Sequence, residues 1–269
     1  MASDHILGVR HSLTGRGWVA RSGAQDRVGQ AIAQSLGLPE LMGRLLAARD
    51  ISAAHAPDFL NPTLRAMLPD PEGIIDMAAA ASRLAVAVQA GETIGVFGDY
   101  DVDGACSTAL LVTVLRDLGC RVVYHVPDRL AEGYGPNTEA LRNMAAQGAR
   151  LLVCVDCGTG AQAAFTPLHN IADVLVFDHH KADGTAAAIS ATVNPNRLDC
   201  TSGLHNICAA SVVFLGCVAL LRELRRRGFF AQRPEPDLRD LLDLVALATI
   251  CDVMPLTGVN RALVAQGLR

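Results

Sequence analysis

From residue 93 onward, short apolar runs alternate with segments of helical periodicity, and this alternation limits the folds open to the chain. Segments such as STALLVTVLRDLG and TEALRNMAAQG show helical spacing and end in glycine. The runs between them are typical of strands: TIGVFGD (93–99), CRVVYHVPD (120–128), ARLLVCVDCG (149–158), DVLVFDHH (173–180) and ATVNPN (191–196). The pattern predicts an α/β fold, with a mostly parallel sheet flanked by helices on both faces.

The rest of the sequence is predicted to be helical or irregular. We expect a helical N-terminal leader over residues 1–75 and the α/β domain over residues 76–269. The stretch IIDMAAAASRLAVAVQAGE (74–92) predicts a long amphipathic helix that Gly91 ends. After the last strand, AASVVFLGCVALLRELRRRG (209–228) and DLRDLLDLVALATICDV (237–253) predict two more apolar helices.

The composition and the N-terminal sequence indicate where in the cell the protein is expected. Polar residues interrupt the longest apolar stretches, and the N-terminus lacks the apolar region of a secretory signal, so we expect a cytoplasmic protein without a membrane span. Eight scattered cysteines are typical of free thiols. A net charge of −4 argues against nonspecific adhesion to nucleic acid but leaves a local basic groove open.

The segment GDYDVDGACS (98–107) places three carboxylates on alternate residues and follows them with a glycine. This spacing matches the start of an EF-hand calcium loop, which also needs a Glu at its twelfth position and a helix on each side. Here the twelfth position is Leu110, and the preceding residues 93–97 are typical of a strand. The EF-hand interpretation therefore fails.

Polar residues gather where the predicted strands end. One strand leads into Asp99, Asp101 and Asp103, a second into Asp156, and a third into the run Asp178-His179-His180. Because ligands of open parallel sheets sit beyond the carboxyl ends of the strands, these side chains are expected to converge. Clustered carboxylates with imidazoles favour Mn²⁺ or Mg²⁺, and bridging carboxylates make a dinuclear site plausible. In the alternative interpretation, each acid caps the helix that follows it.

Four segments in sequence order, VFGDYDVDG, VCVDCGTG, VFDHH and ATICDVMPL, resemble the motifs of the DHH phosphoesterase superfamily. The segments VPDRLAEGYGPN and VNPNR extend this resemblance to the superfamily's exonucleases of single-stranded DNA. The resemblance implies that Asp156 bridges two cations, that His180 faces the scissile phosphate, that Asp178 supports the ligand shell, and that Asp99 is a ligand or a support. It implies five metal ligands: Asp101, Asp103, Asp156, His179 and Asp252.

The function implied by the resemblance is 5′→3′ hydrolysis of single-stranded DNA to 5′-mononucleotides in DNA repair or recombination. Two Mn²⁺ or Mg²⁺ ions would serve as cofactor, and repair or replication proteins would be the protein partners. Arg129 and Arg197 are the candidate phosphate contacts, with surface ion pairs as the alternative. Two other functions stay open: a phosphodiesterase of short oligonucleotides or cyclic dinucleotides, and a non-catalytic scaffold.

The sequence departs from the family pattern at three places. Phe97 stands where some members carry a histidine ligand, so one metal is expected to have fewer protein ligands. Ala209 and Ser211 occupy positions where relatives carry glycine, which is expected to alter the close approach of backbone to a substrate phosphate. The exonucleases continue into a second domain and an oligonucleotide-binding barrel, neither of which is expected in these 269 residues.

Overall fold

The computed structural model describes residues 5–19, 25–182, 184 and 187–269, and it divides the chain into two units, Met1–Ala66 and Met67–Arg269. The domain boundary predicted between residues 75 and 76 stays a prediction. The described part of the first unit contains three helices, α1 (Gln25–Leu36), α2 (Glu40–Ala47) and α3 (Ala56–Leu60); a fourth, α4 (Leu64–Met67), spans the division. The helical character predicted for the leader is thus present in these residues.

Helices α1 and α2 pack with their backbones in contact. A Cβ atom added to Gly43 would lie 2.0 Å from the carbonyl oxygen of Gly29, so only glycine allows this approach. The small core of the first unit consists of Ile32, Leu46, Ala47 and Ala56.

The second unit is built from alternating strands and helices. Its elements are α5 (Met77–Ala90), β1 (Thr93–Phe97), α6 (Val102–Asp117), β2 (Val122–His125), α7 (Thr138–Ala146), β3 (Ala149–Val155), α8 (Gln162–Phe165), β4 (Asp173–Phe177), β5 (Ala191–Val193), α9 (Ala209–Arg226), α10 (Leu242–Cys251) and α11 (Gly258–Gly267). Each of the five predicted strands contains one observed strand, which confirms the predicted fold class.

The five strands form one parallel sheet with the order β2-β1-β3-β4-β5. The chain moves from β1 outward to β2 and then returns to place β3 on the other side of β1. This reversal makes the gap between β1 and β3 a topological switch point, where open α/β sheets bind their ligands. Phe97 pairs with Cys154 and Val155 pairs with Phe177, so the three central strands end at one edge.

Helices cover both faces of the sheet, as the sequence predicts. On one face, α7 and α8 contribute Leu141, Met144 and Phe165 to a core that includes Leu152 and Val176. Against the other face pack α5, α6 and α9, and α10 packs in turn against α6 and α9. Helix α9 approaches the sheet so closely that a Cβ atom on Gly216 would lie 2.5 Å from the ring of Phe177. The apolar runs of β1, β3, β4 and β5 are therefore largely buried on both sides, whereas the edge strand β2 is partly exposed.

Some boundaries differ from those predicted. Helix α5 begins at Met77 rather than near Ile74, because a 3₁₀ turn covers Pro71–Gly73 and Asp76 adopts a left-handed backbone with φ 63°. Helix α10 begins at Leu242, after a 3₁₀ turn over Leu238–Leu241. The strand in ATVNPN ends at Val193, so the following three residues leave the sheet.

Within the described ranges, no single helix has the length and apolarity needed to cross a membrane. One pair, Leu64–Gly73 with Met77–Ala90, meets those criteria jointly but is bent by 86°. All eight cysteines lie in the described ranges and are free thiols.

Candidate metal centre

The carboxyl ends of β1, β3 and β4 bring the predicted acids together. Asp99 follows β1, Asp156 follows β3, and Asp178, His179 and His180 follow β4. Because these strands are adjacent and end in register, the side chains project into one volume at the switch point. Asp99, Asp156, Asp178 and His179 are buried, whereas His180 is exposed. The predicted convergence is therefore present.

Two helices add the remaining acids. Asp101 caps the N-terminus of α6 by accepting a hydrogen bond from the Gly104 amide at 2.9 Å, and Asp103 lies in the first turn of that helix. Asp252 is the C-cap residue that directly follows α10. Helix capping and membership of the cluster are compatible, since the Asp101 side chain does both.

His179 lies at the centre of this cluster. Its Nε2 atom is 3.4 Å from Asp156 Oδ1, 3.7 Å from Asp103 Oδ2 and 3.7 Å from Asp252 Oδ2. Four residues from four separate chain segments thus share one small space. The spacing leaves room for a cation between the imidazole and the carboxylates.

Among the described residues, potential ligand atoms form three groups, and within each group they lie within 4.8 Å of one another. The first group is Asp99, Asp101 and Asp156; the second is Asp103, His179 and Asp252; the third is Asp156, His179 and His180. Asp156 and His179 each belong to two groups. Asp156 lies between the Asp101 side and the His179 side, the position expected of a bridging carboxylate.

Burial and mutual repulsion make these carboxylates hard to ionise. Burial, together with the negative charges of Asp103 and Asp101, raises the pKa of Asp156 to about 10. Burial is also the main cause that raises the pKa of Asp103, Asp99 and Asp252. A divalent cation would remove this penalty by supplying the opposite charge.

The oxygen atoms of Asp156 are the most direct sign of a cation site. Both are buried, and neither has a hydrogen-bond partner within the described ranges; the same holds for Asp99 Oδ1 and Asp252 Oδ2. The Asp156 backbone has a φ of 62°, a left-handed conformation uncommon for a residue other than glycine. Burying a carboxylate oxygen without a hydrogen-bond donor costs free energy unless a cation binds that oxygen. This set of oxygen ligands therefore fits Mn²⁺ or Mg²⁺.

Asp178 has the opposite environment, because donors surround its carboxylate. Oδ1 accepts from the His179 and His180 amides at 2.7 and 3.1 Å and contacts His180 Nδ1 at 2.8 Å; Oδ2 accepts from the Thr159 hydroxyl at 2.7 Å. Burial alone would raise the pKa of Asp178, but these hydrogen bonds and the nearby His180 charge hold it at about 2. The hydrogen bond between Asp178 Oδ1 and His180 Nδ1 raises the pKa of His180.

Asp99, and not Phe97, lies among the potential ligand groups. Phe97 is fully buried, and its ring centroid lies 5.4 Å from that of His125, so it belongs to the core. Asp99 instead adds a third carboxylate beside Asp101 and Asp156. This arrangement favours the interpretation of Asp99 as a ligand over that of a support.

The backbone at Ala209 has a structural role that the sequence did not reveal. The amides of Ala209 and Ala210, at the start of α9, donate to Asp103 Oδ2 and Oδ1 at 2.6 and 2.8 Å. These backbone donors stabilise the buried carboxylate and fix its orientation toward His179.

The two arginines predicted to contact phosphate lie in different environments. The guanidinium of Arg129 is exposed and lies 5.2 Å from the centroid of the Tyr100 ring, next to the first ligand group. Arg197 is mostly buried and pairs with Asp76 at 2.5 Å and Asp199 at 2.7 Å. The structure thus brings Arg129, but not Arg197, to the cluster.

Sequence reasoning did not single out Tyr134 or Thr159. The Tyr134 hydroxyl lies 3.2 Å from His180 Nδ1 and 3.3 Å from Nε2, and the ring packs edge-on against His180 at 5.6 Å. Both residues belong to segments that carry the family resemblance, EGYG and CGTG, which was the available signal.

A cavity of about 560 Å³ opens beside His180 and is lined by Tyr134, Thr159 and Lys181, among others. A larger cavity, of about 850 Å³, lies near Glu92, Arg150 and Asp173, at the amino-terminal ends of the strands. Because the carboxylates gather at the carboxyl ends of the strands, the smaller cavity is the one that adjoins the candidate metal centre.

Gly104 allows the turn after β1 to fold onto α6. A Cβ atom at this position would lie 2.5 Å from the carbonyl oxygen of Asp99. We expect Gly104→Ala to lower the free energy of unfolding by about 1–3 kcal/mol, because this clash outweighs the gain of about 1 kcal/mol in helix propensity. It is also expected to weaken Mn²⁺ binding by displacing Asp99.

Chemical denaturation and Mn²⁺ titration measure the two effects. Gly73→Ala is the control, because a Cβ atom there would meet nothing within 4 Å in the described structure. Equal stability of the two variants would show that the Asp99 turn tolerates the extra carbon.

The comparisons with known proteins agree with this geometry. A family model described as the DHH family, N-terminal domain, matches residues 93–249. The single-stranded-DNA-specific exonuclease RecJ of Dickeya dadantii is 41% identical over 236 residues, which cover 86% of this chain and 40% of the relative. The corresponding Escherichia coli protein is 39% identical with the same coverage.

A solved structure of RecJ from Thermus thermophilus, in complex with Mn²⁺, matches with a TM-score of 0.70 and 32% identity. The match covers 91% of this chain and 33% of the other. The chain thus spans about two fifths of the length of the curated relatives it matches.

Proposed function

Because this chain belongs to the DHH family, we propose that it hydrolyses phosphodiester bonds of single-stranded DNA, proceeding from the 5′ end and releasing 5′-mononucleotides. Its relatives in Dickeya dadantii and Escherichia coli are named single-stranded-DNA-specific exonucleases. The observation that carries the proposal is the pair of buried, unpartnered oxygen atoms of Asp156 among further carboxylates and imidazoles.

The proposed cofactor is a pair of divalent ions, Mn²⁺ or Mg²⁺, which are bound in solved RecJ structures. Asp99, Asp101 and Asp156 would hold one ion, and Asp103, Asp156, His179 and Asp252 the other. When bound, such ions lower the pKa of water and neutralise charge on phosphoryl oxygens.

The residues around the ions are proposed to bind and orient the phosphate. Asp178 accepts from His180 Nδ1, which directs the other ring nitrogen away from this contact. Because the contact raises the pKa of His180, it favours the imidazolium, which can donate a hydrogen bond to a phosphate oxygen. His180 is exposed, so it is accessible to a substrate.

Arg129 is proposed to hold the DNA backbone beside the first ligand group. We expect Arg129→Gln to raise KM for single-stranded DNA about tenfold and to reduce the salt dependence of binding by about 0.7 in log–log slope, because one phosphate contact is lost. Steady-state kinetics and binding titrations at several salt concentrations measure both effects. An unchanged salt slope would exclude Arg129 from the substrate path.

Arg197 remains a proposed phosphate contact. The substitution Arg197→Gln tests whether it contacts DNA. If its pairs with Asp76 and Asp199 are its whole role, Arg197→Gln lowers thermal stability and leaves the salt slope as in the wild type. A reduced slope in that variant would instead assign it to DNA binding.

Digestion of 5′-labelled single strands in Mn²⁺ tests the proposed function. Labelled mononucleotides released from strands of every length support it, and a matched duplex should resist digestion. Cleavage restricted to dinucleotides would indicate a phosphodiesterase of short oligonucleotides, and intact strands would indicate a non-catalytic scaffold; either result would overturn the proposal.

We also propose a cytoplasmic location and repair or replication proteins as partners. The proposed DNA substrate and the eight free thiols support this setting.

A further inference from the structure

The three residues after β5, Asn194 to Asn196, form a turn beside the two histidines, here called the NPN turn. Asn194 is completely buried. Its Nδ2 atom donates to the Thr159 hydroxyl and to the carbonyl oxygen of His180, both at 2.8 Å. Its Oδ1 atom accepts from the Asn196 amide at 2.7 Å, so the whole carboxamide is paired.

Asn196 binds the neighbouring carbonyl in the same manner. Its Nδ2 atom donates to the carbonyl oxygen of His179 at 2.5 Å and to that of His205 at 3.2 Å. The NPN turn therefore holds the carbonyl groups of both histidines with two side-chain amides. Neither bond is local in sequence, since each joins the end of β5 to the end of β4.

The amides of the same two histidines are held from the other side. Asp178 Oδ1 accepts from both of them, and Asp178 is fixed in turn by the hydroxyl and the amide of Thr159 at 2.7 and 3.0 Å. Thr159 also accepts from Asn194, which closes the network. All four main-chain polar groups of His179 and His180 thus have a side-chain partner.

We propose that Asn194 and Asn196 are positioning residues that aim His179 and His180 at the metal centre, with Thr159 linking them to Asp178. Fixing a ligand's main chain limits the movement of its imidazole and lowers the ordering cost of binding an ion. The inference rests on the proposed function to the extent that His179 holds an ion. It gives the VNPNR segment a role apart from that of Arg197.

An amide is required at these positions because both partners are carbonyl oxygens. Aspartate has the same shape as asparagine but carries only acceptors, so Asn196→Asp would place a carboxylate against the carbonyls of His179 and His205. Asn196 is partly exposed, which makes this substitution more tolerable there than at the buried Asn194. Asn143→Asp makes the same chemical change at an exposed position of α7 and serves as the matched control.

A second pair of variants changes the network without adding charge. Thr159→Val removes the hydroxyl between Asn194 and Asp178 at nearly constant volume, whereas Thr159→Ser keeps it. If Asn196→Asp does not fold, this pair alone decides the question.

Mn²⁺ affinity, measured by electron paramagnetic resonance, is the readout, with thermal unfolding of the metal-free protein measured in parallel. We expect Asn196→Asp to weaken Mn²⁺ binding by about 10- to 100-fold and Thr159→Val by about tenfold. Asn143→Asp and Thr159→Ser should stay within about threefold of wild type. Affinity should fall even where the unfolding temperature of Thr159→Val matches that of Thr159→Ser.

Wild-type affinity in both Asn196→Asp and Thr159→Val would overturn the inference, as would equal losses in Thr159→Val and Thr159→Ser. Because the comparison uses metal binding, it holds whether or not the protein digests DNA. Failure to digest DNA would count against the proposed function alone.

Discussion

Asp156→Asn is expected to abolish hydrolysis and, at the same time, to stabilise the metal-free protein. The substitution removes the carboxylate shared by the proposed metal sites, so we expect kcat to fall at least about 1,000-fold, or about 4 kcal/mol in activation free energy. Without metal, the Asp156 oxygens are buried and unpartnered in the described structure. A neutral amide there should therefore raise the free energy of unfolding by about 1–3 kcal/mol.

The opposite signs of the two effects distinguish a metal ligand from a structural residue. Denaturation in the presence of a chelator gives the stability, and DNA digestion in Mn²⁺ gives kcat. Asp117→Asn, at the exposed end of α6, is the control and should change neither quantity appreciably. If Asp156→Asn destabilised the metal-free protein, Asp156 would instead be a structural acid.

The second large effect is the pH dependence of the metal-free protein. Burial and neighbouring carboxylates raise the pKa of Asp156 to about 10, above its unfolded value of about 3.8. The folded state therefore holds a proton that the unfolded state has released. We expect stability to fall as pH rises from about 5 to 9, by up to about 1.4 kcal/mol per pH unit for this group.

The other carboxylates of the cluster also affect how the stability of the metal-free protein depends on pH. The raised pKa values of Asp103, Asp99 and Asp252 act in the same direction as that of Asp156. Asp178, whose pKa is about 2, contributes stability above about pH 4 that is lost only in stronger acid, so it does not affect this window.

Denaturation at several pH values, with and without Mn²⁺, measures the slope. Metal binding requires deprotonated ligands, so Mn²⁺ should reverse the trend and stabilise the protein more at higher pH. Asp156→Asn should reduce the slope of the metal-free protein by the part that Asp156 contributes. A wild-type slope that is flat between about pH 5 and 9 would mean that the carboxylates ionise freely and need no cation.

The sequence predicted the strands and the acids at their ends because both follow from local patterns. Apolar runs with helices between them identify a parallel sheet, and that topology brings Asp99, Asp156 and the Asp178-His179-His180 run to one edge. The family resemblance added Asp252, which no local pattern connects with that edge.

Contacts between distant segments could not be predicted in this way. The amides of Ala209 and Ala210 reach Asp103 across more than 100 residues, and Arg197 pairs with Asp76 across 121. The left-handed backbone of Asp156 and the carbonyl contacts of Asn194 and Asn196 likewise depend on how the strand ends pack. These features position the site, whereas the local pattern supplies its chemical groups.

Anomalous diffraction from crystals of the protein soaked in Mn²⁺ tests the central claim most directly. The expected map has two peaks about 3.5–4 Å apart, with Asp156 touching both, His179 and Asp252 on one, and Asp101 on the other. A map with no peak within reach of Asp156, obtained from crystals that bind Mn²⁺ elsewhere, would contradict the assignment of this cluster as a metal centre.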